Sequence, residues 1–232
     1  MDVDTVTKRS FGSVWGALSV LGLAVLLALP AANVLAQDAT PVATSAYDPA
    51  NCTTEPISVD RAAMLLATPV AAPELPVTDE GVVALPTGVP TSEEEMAVVR
   101  ATLEQLWACN NARNKGAVYA LFTDHAVQES VGFTEGSSWD TAELEAAVAL
   151  SLVPGEPRAP DEWATIDAIV SATTYDDGQA GVVIVNTDPL VANGQQVQDY
   201  FRFVIEDGVA KVSGVILDPF DLTPGYGFEK AA

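Results

Sequence analysis

Apolar residues recur along this chain in different rhythms, and each change of rhythm marks a part of it. An apolar run from Val14 to Pro30 comes first. From Thr91 the spacing is helical. Ser92-Glu93-Glu94-Glu95 forms a capping box, in which a serine hydroxyl and a carboxylate three residues on satisfy orphan amides at a helix start. Met96, Val99, Leu103, Leu106, Trp107 and then Asn110 follow on one stripe that faces a core, with Cys109 on its flank. Residues 110–116, Asn-Asn-Ala-Arg-Asn-Lys-Gly, end that helix. Val118, Leu121 and Phe122 predict a shorter second one. Asp140-Thr141-Ala142-Glu143 opens a third, with Leu144 and Val148 inward and Pro154-Gly155 as its stop.

After Pro160 the period becomes two. Trp163 to Tyr175 alternates, which sets Ile166, Ala168, Val170 and Ala172 on one face and Thr165, Asp167, Ser171 and Thr173 largely on the other. Asp176-Asp177-Gly178 turns the chain into Ala180 to Thr187, a β-branched run expected to be buried on both faces. A longer connection leads to a strand from Gln196 to Glu206; Glu206-Asp207-Gly208 is a second tight turn, and Val209 to Leu217 returns as the last strand. Helices first and an antiparallel meander afterwards define an α+β domain, with helices packed on one sheet face.

Residues 37–90 belong to neither pattern. Pro41, Pro49, Pro56, Pro69, Pro73, Pro76, Pro86 and Pro90 leave no room for a long helix or a regular sheet, and only Val59 to Thr68 suits a short helix. This stretch reads as an extension or strap, residues 91–220 as the domain and residues 221–232 as a tail.

The leading apolar run changes the picture through its flanks. Lys8 and Arg9 precede it and Val34-Leu35-Ala36 stands before Gln37, the layout of a secretory signal (residues 1–36) cleaved after Ala36. A retained N-terminal membrane anchor of about 18 to 20 residues is the alternative. Thr7-Lys8-Arg9-Ser10-Phe11 resembles a Lys-Arg variant of the twin-arginine signal, so the general and twin-arginine routes both stay open. An exported chain meets an oxidising compartment, where Cys52 and Cys109, its only cysteines, have one possible pairing. A bridge between them closes a loop of about 58 residues, which the loop-entropy model values at about 4 kcal/mol, and pins the strap to the domain. The other reading is two unrelated small hydrophobes.

A formal charge of −22 excludes nucleic acid as a partner and disfavours anionic lipid, since both need clustered Lys and Arg. The acids are dispersed and suit a solvated, soluble surface.

The order of elements, together with the segment from Cys109 to Val127, resembles the NTF2-like, or SnoaL-like, superfamily. The features that carry this are the Asn110–Gly116 junction after a long helix and Leu121-Phe122-Thr123-Asp124-His125 ending the next one. Phe201-Arg202-Phe203-Val204-Ile205-Glu206-Asp207-Gly208 is similar to the hairpin such proteins place late in the sheet. The resemblance spans about Thr91 to Pro219. It implies a cone, a curved antiparallel sheet packed against three N-terminal helices around an apolar pocket. It does not imply one activity, because the superfamily contains isomerases, dehydratases, polyketide cyclases, transport factors and dimerisation modules.

Asp199 is the sharpest candidate for chemistry. It shares strand parity with Val197, Phe201, Phe203 and Ile205, and a carboxylate held on the apolar side is tuned by burial into a proton-shuttling base; a frayed or bulged strand end would instead leave it solvated. His125, near the expected pocket rim, and Tyr200 are its candidate catalytic assistants. A dehydratase-like histidine pair is impossible, since His125 is the only histidine. The expected ligand pocket comprises Trp107, Phe122, Trp139, Val197, Phe201 and Phe203; Tyr175, Tyr200 and Trp163 could also line it, although core packing is the common fate of such rings. No metal site, phosphate-cradling loop, nucleophile elbow or dinucleotide fingerprint is present, so no cofactor is expected. These readings favour an exported domain that holds a small apolar or amphipathic molecule without chemistry. The alternatives are an isomerase-, cyclase- or dehydratase-type enzyme using a pocket carboxylate, and a structural module that forms a homodimer through its sheet face.

Overall fold

Antiparallel pairing in chain order builds the sheet. In the computed structural model, β1 (Val89–Pro90), β2 (Thr165–Thr174), β3 (Ala180–Thr187), β4 (Gln196–Glu206) and β5 (Val209–Leu217) lie side by side in that order. The structure describes residues 44–65, 85–130, 142, 146, 148–150 and 152–219. The secretory signal, the cleavage point after Ala36, the alternative anchor, Trp139 and the 221–232 tail lie outside these residues.

Turn chemistry explains the meander. Asp207 and Gly208 have φ of 52° and 75°, the left-handed pair that a two-residue hairpin between β4 and β5 requires. Between β2 and β3, Gly178 takes φ 78° and Tyr175 N–H donates to the Gln179 carbonyl at 2.9 Å. β3 is buried on both faces as its composition implies. Val182 and Ile184 face the main core, while Val183 packs with Tyr175, Tyr200 and Ile216 on the other side.

The alternation expected for β2 does not hold. Ile166, Ile169 and Ala172 pack toward the main core, whereas Val170 joins the Tyr175 cluster on the opposite face. Register shifts against β3 between Ile166 and Ala168, and again between Ile169 and Ser171, are the reason: each extra residue reverses the facing of the residues after it.

The main core lies between the sheet and α2 (Glu93–Asn111). The capping box forms as expected, with Ser92 Oγ accepting from Glu95 N–H at 3.3 Å and Glu95 Oε2 accepting from Ser92 N–H at 3.1 Å. Val99, Leu103, Leu106 and Trp107 are buried on its inner face. The stripe ends differently from the sequence expectation: Asn110 is exposed and Asn111 is fully buried. Two short helices follow, α3 (Lys115–Ala120) and α4 (Asp124–Ser130). Leu121 and Phe122 thus lie between two helices rather than within one, and Phe122 forms a lone parallel bridge with Val212 of β5. Ala142, Ala146 and Val148 to Leu150 are helical, with Val148 buried, while the expected start of that helix at Asp140 lies outside the described residues. Helices and a five-stranded antiparallel sheet make the domain α+β.

The strap is bound to this body at several points. Cys52 and Cys109 are disulfide-bonded. Beside the bridge, the Gln105 carboxamide of α2 accepts from Thr53 N–H at 3.0 Å and donates to the Asn51 carbonyl at 2.9 Å. Upstream, Tyr47 is fully buried in the main core, with Oη donating to the Ile166 carbonyl at 3.2 Å. Downstream, α1 (Val59–Leu65) packs Ala62 and Leu65 against Tyr119, Val127 and Val148. The disulfide is compatible with an extracellular location. Among the described residues, no helix is long and apolar enough to cross a membrane.

Candidate functional site

β3 and β4 bring a polar pair to one end of an otherwise apolar face. Their register sets Val182 opposite Phe201 and Ile184 opposite Asp199, so the side chains on the α2 side run from aromatic and aliphatic to acidic toward the start of β4. Asn186 stands on the same face, diagonal to Asp199. Its Nδ2 donates to Asp199 Oδ2 at 2.8 Å, and Asp218 N–H donates to Asp199 Oδ1 at 3.0 Å. Asp199 is 3% exposed, so the strand end neither frays nor turns it to solvent.

These residues wall a cavity of about 170 Å³. Part of the lining is aromatic, from Trp107 of α2 and Phe201 of β4, whose rings meet edge to face with centroids 5.5 Å apart, and part is polar, from Asp199, Asn186, Asn110 and Asp188. Asp188 is held from behind by Arg158, with Nη1 to Oδ1 at 2.7 Å. A carboxylate has about four lone-pair directions, so Asp199 can accept from a ligand as well as from its protein donors. The lining thus combines flat apolar surface with a hydrogen-bond acceptor.

The other expected site residues lie elsewhere. Tyr200 follows Asp199 in the strand and so points to the opposite sheet face. There its Oη lies 3.0 Å from Tyr175 Oη, and burial, reinforced by that hydrogen bond, pushes its phenol pKa well up. Gly181 leaves the room for the two phenols, since a Cβ there would run into both hydroxyls. Tyr200 is thus not positioned to assist Asp199. Nor is His125, an exposed residue of α4 whose Nδ1 lies 3.2 Å from Glu129 Oε1. Burial raises the Glu129 carboxyl and the histidine opposes that rise. Of the expected pocket residues, Trp107 and Phe201 line the cavity. Phe203 is fully buried in the main core, Phe122 packs between that core and the α1–α4 cluster, and Val197 is buried beside Asn186 in the β3–β4 ladder.

Asn186, Asp188 and Asn110 are site residues that the sequence reading missed. A signal for Asn186 was present: it is the one carboxamide in the Ala180–Thr187 run, and a polar group in a strand buried on both faces must find a partner. Among the described residues, no group of three or more His, Cys, Asp or Glu side chains is arranged to hold a metal. Comparison with protein-family models, curated proteins and solved structures finds no match for this chain.

Proposed function

We propose that this chain is an exported binding domain of NTF2-like architecture that holds one compact amphipathic molecule in the Asp199 cavity and does no chemistry on it. The observation that carries this reading is a buried carboxylate that lines a cavity of about 170 Å³ together with two aromatic rings. A dry cavity of about 150 Å³ takes a benzene ring, so the guest is a single ring or a short branched chain with an alcohol, amide or amine aimed at Asp199. In support of the cone, α2 lies over one face of a sheet whose register shifts in β2 and between β4 and β5 add local twist.

Native mass spectrometry of the chain purified from its exporting host tests this. The expected result is a retained adduct with a hydrogen-bond donor, lost in Asp199→Leu. A bare mass, with no thermal shift from phenol, benzyl alcohol or benzylamine, would overturn it. The buried carboxylate also suits the enzyme reading, but then Asp199 must work without His125 and Tyr200, the groups expected to share its proton. Conversion of the retained molecule into a product by the purified chain would replace binding by catalysis.

A further inference from the structure

A second concave site adjoins the Asp199 cavity, with Asn110 lining both. It is a cavity of about 440 Å³ where the end of α2, the start of α3 and the loop before β2 converge. Arg113, Lys115 and Arg158 all line it. The chain has only ten Lys and Arg against 32 Asp and Glu, so three cations around one hollow run against the charge of the whole molecule. No Asp or Glu is among the described residues that line it.

The cations are held in place by the backbone beneath them. Arg158 N–H donates to the Asn111 carbonyl at 2.8 Å, and Gly155 N–H donates to the Arg113 carbonyl at 3.1 Å, which zips the loop onto the turn between α2 and α3. Arg113 adopts φ 50°, and its side chain lies against Gly155, where a Cβ would come within 3.2 Å of its own Cβ. The Arg158 side chain is only 10% exposed and is fixed by Asp188 at 2.7 Å and by the Glu162 carbonyl at 3.2 Å. Its Nε is buried and has no acceptor among the described residues. Arg113 and Lys115 have no carboxylate within ion-pair distance among the described residues; the Lys115 ammonium has only the Tyr119 ring, 5.7 Å from its centroid.

The remaining walls are apolar. Leu150 and Val153 are 77% and 65% exposed beside the cations, and Val118 lies deeper. Large aliphatic side chains left in water beside Arg113 and Lys115, which have no carboxylate partner among the described residues, suit a ligand that covers the one while neutralising the other. We propose that Arg113, Lys115 and Arg158 form a second binding site, which takes a small anion with an apolar tail, its carboxylate or phosphate on Arg113 and Lys115 and its tail along Leu150 and Val153. Its charge preference is the reverse of that of the Asp199 cavity, and it does not depend on that cavity being occupied.

Isothermal titration of the disulfide-intact chain with octanoate, octyl phosphate and acetate tests the site. Octanoate or octyl phosphate should saturate one site, the tighter of the two naming the head group, with acetate weaker by roughly tenfold or more. Arg113→Gln/Lys115→Gln should weaken the tailed probes by roughly tenfold or more, while Lys211→Gln, an exposed cation on β5, should leave them unchanged. Val153→Asp, which adds an acid to the wall without removing a cation, should act like the double substitution. Binding should also weaken as salt is raised. Absence of saturable binding, acetate binding as tightly as octanoate, or full affinity in the double variant would each overturn the proposal. None of these outcomes bears on the adduct expected at Asp199, because the substitutions that decide the test fall on Arg113, Lys115 and Val153, none of which lines that cavity.

Discussion

Asn186 donates to Asp199 across the β3–β4 ladder, and the pair sits where that ladder stops being apolar. An amide and a carboxylate so placed are bound to each other energetically. Removing either leaves its partner buried with a lost hydrogen bond, which costs more than the net worth of the bond itself.

Asp199→Ala should therefore destabilise the fold by about 2–4 kcal/mol, since it strands both the Asn186 amide and the Asp218 N–H. Asn186→Ala should cost less. The double variant should fall short of the sum of the two by about 1–3 kcal/mol, the signature of residues in one network. Urea denaturation of the four proteins measures this; strict additivity would mean that the pair is not coupled.

The disulfide is the next test. Cys52→Ala/Cys109→Ala opens a loop set by a sequence separation of 57 and should cost up to about 4 kcal/mol. The loss should stop short of releasing the strap, because Tyr47 remains buried in the core and Gln105 still holds Asn51 and Thr53. Limited proteolysis should show faster cleavage between Thr53 and Ser58 with the rest of the domain intact. Cleavage throughout the domain at the same rate would show that the bridge holds the whole fold and not the strap alone.

The parts of this structure that were legible in the sequence are those decided by local chemistry. β3, β4 and β5 start and end where alternation and glycine turns place them, and α2 begins at its capping box. The parts that were not legible depend on a distant partner. The facing of Val170 comes from bulges that exist only once β2 is paired with β3. Tyr47, in a proline-rich stretch with no periodicity, is a core residue because Ile166 and Asn111 reach it from more than 60 positions away. At the site, parity placed Asp199 on the side of Phe201, but Asn186 and Asp188 come from a neighbouring strand and its connection, and nothing within β4 points to them.

The capping box gives α2 a pH dependence of known sign. The Ser92 hydroxyl and backbone N–H bind the Glu95 carboxylate and hold its pKa below the ordinary range, with Thr174 adding a weaker bond. A carboxyl depressed in the folded state stabilises it fully above the unfolded value, about pH 4.3, and loses that contribution as pH falls through the lower folded value. Glu95→Gln should thus cost no more than about 0.5 kcal/mol near neutrality, since solvent screens so exposed a carboxylate, and nearly nothing in acid. Thermal melts at pH 7 and pH 3 should show the gap between the two proteins closing; a gap that persists in acid would assign it to packing.

Asn111 carries the largest effect expected of a single side chain here. It is fully buried at the end of α2, where its Nδ2 donates to the carbonyls of Tyr47 at 2.9 Å and Ala164 at 3.0 Å, and its Oδ1 accepts from Ala164 N–H at 2.9 Å. One carboxamide thus supplies the hydrogen bonds that a neighbouring strand would otherwise give, and it joins strap, helix and sheet at a single point. Asn111→Leu keeps the branching of the side chain but is bulkier and strands two carbonyls and an N–H in the core, so a loss of about 3–5 kcal/mol is expected. Asn111→Asp keeps the acceptor, turns both donor contacts into repulsion between oxygens and buries a charge, so it should be at least as damaging. Denaturant midpoints of the two variants decide this. If Asn111→Asp were the milder of the two at neutral pH, the Nδ2 bonds to Tyr47 and Ala164 would not be what holds the strap to the sheet.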